Sequence, residues 1–299
     1  MDKRWAFFTV DFELTNICAQ NCLFCPRHGL TRPAGFVSPD LFASLARQLA
    51  AAGSRLTFCG MGNPLLHPAL EEIAAICHEH GLYYGLTVQA PALDLHGLAQ
   101  IALLRPAFIE ISFPTTDPAL FSKIYPGQSM QDAIEGLHNL ARQRNGTRGM
   151  VINAVTVATE AASHVEISRF WQTEGFECRI QLCHSRGGNL LNTELVNAVA
   201  RPVNSCGLFA THAFITWQGH LLACCHDLSG ITQVADLTEI TVTEAATRKL
   251  AILEHGMPFS ICRNCDEPAA SRPIPDRPFP ESAKARSRFL KNHCQHKSP

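Results

Sequence analysis

Three cysteines lie close together near the start of the chain. Cys18, Cys22 and Cys25 are spaced C-x3-C-x2-C in the stretch LTNICAQNCLFCPRHG. A structural zinc site needs four protein ligands, and disulfide bonds use cysteines in pairs. Three thiols on one short loop therefore suggest a metal centre with one coordination position left open, as catalytic metal sites have.

A [4Fe-4S] cluster fits this count, because each of its four irons takes one outside ligand and thiolates are the usual ones. Three cysteines then leave one iron open. A zinc knuckle that borrows His28 as its fourth ligand is the alternative.

The composition is that of an ordinary globular protein. Of the 299 residues, 46% are hydrophobic and 17% are charged. No apolar run approaches the roughly 20 residues of a membrane span, and the N-terminal sequence lacks the layout of a signal peptide. We therefore expect a cytoplasmic protein without a membrane partner.

Charge and cysteine content narrow the function classes further. The net charge of −1 gives no general field that would attract nucleic acid. The chain has 13 cysteines, and in a reducing cytosol clustered cysteines are more often metal ligands than disulfides. Metal binding is therefore the favoured use of the cysteines.

Strand-like runs alternate with helical patterns through the first two-thirds of the chain. This alternation predicts an α/β fold with a parallel sheet, namely a partial (β/α)6 TIM-like barrel, whose ligands gather at the carboxyl ends of the strands. Strands are predicted at 5–14, 55–60, 83–89, 108–113, 149–157 and 177–183, with helices at 38–53, 68–80, 93–103, 130–143 and 161–174.

The pattern changes near residue 185. A short strand pair at 212–225, a helix near 243–255 and the stretch SICRNC predict a small second domain. We divide the chain into a barrel at 1–190, a cysteine-containing domain at 191–268 and an irregular polar tail at 269–299, with a short helix around 282–290.

The first cysteine loop, with Phe24 just before its last cysteine, resembles the cluster loop of the radical S-adenosylmethionine (radical SAM) superfamily. The resemblance implies an enzyme whose three cysteines hold a [4Fe-4S] cluster, while the amino and carboxylate groups of SAM fill the open position. An electron from a donor such as flavodoxin or ferredoxin then cleaves SAM, and the 5′-deoxyadenosyl radical removes hydrogen from an unactivated carbon.

The same resemblance suggests residues that contact SAM. The stretch CGMGNP resembles the Gly-Gly-Glu-Pro turn of the family, with Asn63 as a neutral acceptor where the family has glutamate. Ser112, which ends the fourth predicted strand, and Asn153, on the fifth, are candidate contacts, although each could equally form a hydrogen bond that ties a strand end to a loop. The predicted cofactor-binding residues are Phe24, Gly60, Gly62, Asn63, Ser112 and Asn153.

A second cysteine set follows in the C-terminal part of the chain. It resembles the SPASM/twitch extension of the radical SAM family, in the short twitch form with one auxiliary [4Fe-4S] cluster. A structural zinc site suits four thiolates equally well and stays open. The predicted ligands are Cys206, Cys224, Cys262 and Cys265.

Cys225 directly follows the predicted ligand Cys224 in the sequence and has no assigned partner. Its resemblance to the spare cysteine of some radical SAM epimerases implies a catalytic hydrogen-atom donor, which would quench a carbon radical from the opposite face. A packed thiol is the alternative, and Cys183 is a weaker rival for the donor role. Cys59, which lies in a predicted strand, is expected to belong to the core.

Three functions remain open. The resemblance favours modification of a peptide or protein residue by epimerisation or oxidation during maturation. The alternative is an epimerase or dehydrogenase that acts on a carbinol carbon of a sugar or aminocyclitol natural product. The third is a zinc-binding interaction module without redox chemistry.

Overall fold

The computed structural model describes residues 6–190, 193–196 and 206–267. Nine strands form one sheet in this part of the chain. The strands are Thr9–Phe12 (β1), Arg55–Phe58 (β2), Tyr83–Gln89 (β3), Phe108–Ser112 (β4), Met150–Thr156 (β5), Cys178–Leu182 (β6), His212–Ile215 (β7), His220–Leu222 (β8) and Gln233–Asp236 (β9).

The strand order is β6-β5-β4-β3-β2-β1-β7-β8-β9. Strands β1 to β6 are parallel and adjacent in sequence order, as six successive βα units require. The predicted α/β fold with a partial (β/α)6 barrel is confirmed.

Helices separate the strands. In the described residues they are Pro39–Ala52 (α1), Leu70–Glu79 (α2), Leu95–Leu104 (α3), Pro118–Ile124 (α4), Met130–Gln143 (α5), His164–Thr173 (α6), Gly207–Thr211 (α7) and Val242–His255 (α8). None of them is long and apolar enough to cross a membrane.

Local sequence signals explain most of these boundaries. The Ser38 side chain accepts a hydrogen bond from the Leu41 amide and caps α1, and Gly53 ends that helix in the left-handed region at φ 68°. The first strand is shorter than predicted and begins at Thr9. Helix α4 and strand β9 were not predicted, because both are short and depend on tertiary contacts.

The C-terminal strands extend the barrel sheet. The predicted hairpin is present as β7 and β8, which pair antiparallel. Strand β7 also pairs in parallel with β1, on the side opposite β2. The domain division at residue 190 stays a prediction, and the tail at 269–299, with its predicted helix, lies outside the described residues.

A buried ion pair joins three segments at the end of β1. Glu13 is fully buried, and the Arg32 guanidinium donates to both of its carboxylate oxygens at 2.7 and 3.0 Å. The amide of Met61 donates to the same carboxylate at 3.1 Å. The pair therefore fixes the return of the cysteine loop and the turn after β2 against β1.

Replacing one partner of this pair should destabilise the fold. We expect Arg32→Met to lower the free energy of unfolding by about 3–5 kcal/mol, because it leaves the Glu13 carboxylate buried and unpaired. Denaturant unfolding measures the change. Arg47→Met, at an exposed position of α1, is the matched control. A loss in Arg32→Met no larger than in this control would contradict the assignment.

Candidate active site

The cysteine loop leaves the carboxyl end of β1. Cys22 is buried, and Cys18 and Cys25 are partly buried. The Cys25 amide donates to the Cys22 carbonyl at 3.0 Å, and the Leu23 amide donates to the Ile124 carbonyl at 3.1 Å. The loop is thus folded on itself and held against the end of α4.

The thiols of this loop influence one another. Burial raises the pKa of Cys22 to about 12, and the neighbouring charges of Cys25 and Cys18 contribute to the increase. Burial also raises the pKa of Cys18. Thiolates at these positions therefore need a compensating positive charge, which bound iron would supply.

An aromatic pair lies beside the loop. The Phe24 ring packs edge-on against Tyr125, with ring centroids 6.3 Å apart. Tyr125 is buried, and burial together with the loop cysteines raises its pKa well above the usual value. Sequence reasoning missed Tyr125, because it caps the unpredicted helix α4. The predicted SAM contact of Phe24 stays a prediction beside this packing role.

Two glycines permit the turn after β2 to approach the loop. A Cβ atom on Gly62 would lie 2.2 Å from the Thr15 carbonyl oxygen and 2.7 Å from that of Ile17. Gly60 has φ +143°, and a Cβ there would meet the Glu13 side chain. Glycine is therefore required at both positions for this close backbone approach.

Asn63 has a local partner. The side-chain Oδ1 of Asn63 accepts a hydrogen bond from the Leu65 amide at 3.1 Å, and the backbone amide of Asn63 donates to the Ile17 carbonyl at 2.9 Å. The carbonyl oxygen of an amide side chain has two lone pairs, so one remains for a further donor. The predicted contact with the SAM ammonium is compatible with this capping role and stays a prediction.

A row of polar residues crosses the central strands, at the last residue of β3 and of β4 and in the middle of β5. Gln89 pairs with Ser112 and Ser112 pairs with Asn153 across β3, β4 and β5, so their side chains point to the same face of the sheet. The Asn153 amide group donates to Glu110 at 3.1 Å. Among the described residues, Asn153 Oδ1 and Gln89 Oε1 are buried without a partner, which favours a ligand at this edge.

The second cysteine set comes together from three segments. Cys206 precedes α7, and its Sγ accepts from the Phe209 amide at 3.3 Å. Cys224 follows β8, while Cys262 and Cys265 belong to the turn at Ser260–Asn264 and its end. All four line one cavity.

The spacing of the sulfurs also bears on the choice of metal. Tetrahedral Zn–S bonds of about 2.3 Å bring zinc-bound sulfurs to roughly 3.8 Å from one another. In the described part of the chain, the groups with three candidate ligand atoms mutually within 4.8 Å are Cys224–Cys225–His226 and His184–His226–Glu267. Neither group holds three of the predicted ligands, so no three of those sulfurs lie mutually within 4.8 Å in the described residues.

Cys225 lies in the wall of the same cavity. Its Sγ is 3.7 Å from His226 Nδ1. A hydrogen bond from the Cys224 thiol, with the charge of His226, lowers the pKa of Cys225 against the cost of burial. Cys224 donates that hydrogen bond only while it keeps its proton, so this effect on Cys225 is lost when Cys224 binds metal as a thiolate. Burial alone would lower the pKa of His226, but Cys225 and Glu267 raise it to about 9.

Cys225 also lies near the polar face of the barrel sheet. Asp11 on β1 pairs with His212 on β7 at 2.8 Å, and the Cys59 thiol bonds to Asp11. Burial raises the pKa of Cys59, and the charges of Asp11 and Cys225 add to the increase. Cys59 was expected in the core, but it contacts this polar group, a tertiary contact that strand periodicity does not reveal.

Histidines and carboxylates fix the segment after the C-x2-C pair. His184 and His226 both contact Glu267 Oε2, at 3.0 and 3.2 Å. The Ser185 amide and hydroxyl donate to Asp266 at 2.6 and 2.9 Å. The cavity wall that carries Cys225 is therefore braced by residues that are far apart in sequence.

Comparison with known proteins identifies the family. The sequence model of the radical SAM superfamily matches residues 12–168, more than half of the chain. The chain belongs to the radical SAM superfamily. The match includes the cysteine loop and the turn after β2, and it confirms the resemblance found in the sequence.

Solved structures show the same fold. BtrN, solved with AdoMet and 2-DOIA, is 16% identical with a TM-score of 0.59 over 91% of this chain and 97% of BtrN. SuiB of Streptococcus suis, solved with precursor peptide SuiA, is 16% identical with a TM-score of 0.64 over 87% of this chain and 71% of SuiB. anSMEcpe, solved with AdoMet, is 11% identical with a TM-score of 0.63, over 83% and 82% of the two chains.

This radical SAM protein is therefore an enzyme that uses SAM and a [4Fe-4S] cluster. Three thiols on the loop at the carboxyl end of β1 fit that cluster, with one position left for SAM. The individual ligands and SAM contacts stay predictions, as does the auxiliary cluster. Of the two rival thiols, Cys225 lines the cavity of the second cysteine set, whereas Cys183 is buried outside its lining.

Removing the loop thiols should remove SAM cleavage. We expect the variant with Cys18, Cys22 and Cys25 all changed to Ala to lose one cluster and to form no 5′-deoxyadenosine. Iron analysis and chromatography after anaerobic incubation with SAM and reductant measure both. Cys77→Ala, a buried thiol on α2, is the control. Formation of 5′-deoxyadenosine by the triple variant would rule out the assigned cluster site.

Changing Asn63 should affect SAM affinity. We expect Asn63→Leu to weaken SAM binding by about 1–3 kcal/mol, because a buried ammonium donor loses its acceptor. Asn63→Asp keeps an oxygen for the Leu65 amide and adds negative charge, so it should bind SAM at least as tightly as wild type. Equilibrium dialysis with the reconstituted protein measures the affinities. Equal affinity of Asn63→Leu and wild type would contradict the SAM contact.

Proposed function

We propose that this enzyme epimerises a carbon centre, most simply in a peptide residue, with Cys225 as the hydrogen-atom donor. The observation that carries the proposal is the position of Cys225. Its thiol lies outside the predicted set of four cluster ligands, yet it lines their cavity and is near Asp11 and Cys59 on the polar face of the barrel sheet. It thus lines the cavity of the second cysteine set and interacts electrostatically with residues of the barrel sheet.

The ligand assignment follows the two cysteine sets. Cys18, Cys22 and Cys25 would hold the cluster that binds SAM. The four cysteines of the second set would hold an auxiliary [4Fe-4S] cluster with no open position, since each iron already has a thiolate. No three of these sulfurs lie mutually within 4.8 Å in the described residues, whereas zinc-bound sulfurs are roughly 3.8 Å apart, and this supports the assignment over a zinc-binding interaction module.

When bound, SAM and its cluster supply the radical that removes a hydrogen atom from the substrate. Cys225 then acts on the resulting carbon radical. Its S–H bond breaks, a C–H bond forms on the opposite face, and a thiyl radical remains on the sulfur. One electron from a donor such as flavodoxin or ferredoxin and one proton from water restore the thiol. The substrate is inverted without net oxidation.

The fold of SuiB, which was solved with a precursor peptide, supports a peptide substrate.

A small polar substrate is the second candidate. Glu110 on the polar face contacts Arg55 at 3.3 Å and Arg179 at 3.7 Å, and these side chains are 15–22% exposed. BtrN, with 2-DOIA, has a similar fold over nearly its full length. These observations support the second candidate, a carbinol carbon of a sugar or aminocyclitol that is inverted or oxidised.

The Cys225 proposal makes an isotopic prediction. Thiol hydrogens exchange with solvent, so product formed in D2O should gain one deuterium at the inverted carbon and show no two-electron mass loss. We expect Cys225→Ala to keep both clusters and still cleave SAM, but to lose inverted product. Mass spectrometry after anaerobic incubation with SAM, reductant and peptide or aminocyclitol candidates measures each outcome.

Cys183→Ala is the matched control and should form product with the same deuterium content as wild type. Undiminished product from Cys225→Ala would eliminate the donor role. A product two hydrogens lighter in both proteins would indicate oxidation instead of inversion. Loss of the auxiliary cluster in Cys225→Ala would mean that Cys224 and Cys225 exchange roles.

A further inference from the structure

Lys249 is buried on the apolar face of α8. Its exposure is 1%, and the residues that share its helix face are the buried Val242, Ala245 and Ala246. This i, i+3, i+4, i+7 spacing is the pattern by which a helix packs an apolar stripe on the core. An apolar side chain would be ordinary at this position, so the charged one requires an explanation.

Among the described residues, the groups that contact the Lys249 ammonium directly are neutral. Its Nζ donates to the Ala6 carbonyl at 2.6 Å and to the His212 carbonyl at 2.7 Å. The Phe7 and Phe209 rings lie 5.4 and 5.1 Å from it. No carboxylate of the described residues forms an ion pair with Lys249. A buried ammonium is costly without a negative charge nearby.

The second cysteine set lies behind two of these neighbours. Phe209 and His212 both line the cavity that contains the four predicted ligands. Cys206 accepts a hydrogen bond from the Phe209 amide, one helical turn away. Burial lowers the pKa of Lys249 to about 7, and a negative charge on Cys206 acts against this decrease. Cys206 is thus the predicted ligand that lies near Lys249, and it would become negative on binding metal as a thiolate.

We propose that Lys249 is the counter-cation of the auxiliary cluster. An iron–sulfur cluster with four thiolate ligands carries a net negative charge, which compensates an ammonium that is otherwise unpaired. The inference rests on the proposed auxiliary cluster and adds to it a residue that tunes that cluster.

The expected consequence concerns the reduction potential of the auxiliary cluster. Reduction adds one electron to the cluster and makes it more negative, while no bond is broken. A fixed positive charge behind the cavity wall stabilises the reduced state more than the oxidised state, so it raises the potential. Removing that charge should therefore lower the potential, and this shift separates an electrostatic role from a packing role.

The experiment uses the full chain in the background of the Cys18, Cys22 and Cys25 to Ala substitutions, so that only the auxiliary cluster is observed. Lys249→Gln removes the charge but keeps an N–H donor, and Lys249→Arg keeps the charge. Arg248→Gln makes the same charge change at the exposed neighbouring position. Potentiometric titration followed by electron paramagnetic resonance measures the midpoint potential of each variant.

We expect a lower midpoint potential in Lys249→Gln, and values near wild type in Lys249→Arg and Arg248→Gln. Equal potentials in wild type and Lys249→Gln, or an equal shift in Arg248→Gln, would overturn the inference. If Lys249→Gln takes up no auxiliary cluster, cluster uptake by Lys249→Arg is compared instead. Uptake by Lys249→Arg would support the charge role. No uptake by Lys249→Arg would overturn the inference and assign Lys249 a packing role.

Cluster content distinguishes this inference from the proposed function. One cluster per chain in the protein with all its cysteines would refute the auxiliary cluster, and the role of Lys249 would be refuted with it. Two clusters, together with an auxiliary potential that does not depend on the charge at residue 249, would refute the Lys249 inference alone and leave the proposed function standing.

Discussion

The site depends on one close backbone approach, that of Gly62 to the carbonyl oxygens of Thr15 and Ile17. It brings the turn after β2 against the first residues of the cysteine loop. The buried Glu13–Arg32 pair connects both segments, because the Glu13 carboxylate also accepts a hydrogen bond from the Met61 amide. A larger residue at position 62 would separate the turn from the loop, and the predicted contacts with SAM and its cluster would no longer be adjacent.

A second constraint connects the two cysteine sets. Strand β7 pairs with β1, so the segment that carries Cys224 and Cys225 belongs to the same sheet as the strand that leads into the first loop. Cys225 is then near Asp11 and His212 and also in the wall of the cavity that the second cysteine set lines. This continuity of the sheet, more than any single contact, supports a role for Cys225 in the chemistry that begins at the first cluster.

The sequence was most informative where spacing alone determines a structure. The C-x3-C-x2-C loop and the glycine turn could be located by their motifs, and α1 by Ser38 and Gly53. Contacts between distant segments could not be predicted: Tyr125 beside the cysteine loop, Cys59 against Asp11, and the bracing of His226 by Glu267. Lys249 was missed because helical periodicity does not show which buried position carries a charge.

We propose that the chain holds two [4Fe-4S] clusters, one open to SAM and one fully ligated by cysteine. Iron, sulfide and zinc analysis of the anaerobically reconstituted chain, combined with Mössbauer spectroscopy, measures the number and type of these clusters. We expect about eight irons and eight sulfides per chain, all in cubane clusters, and no bound zinc. About four irons per chain, with or without one zinc, would contradict it.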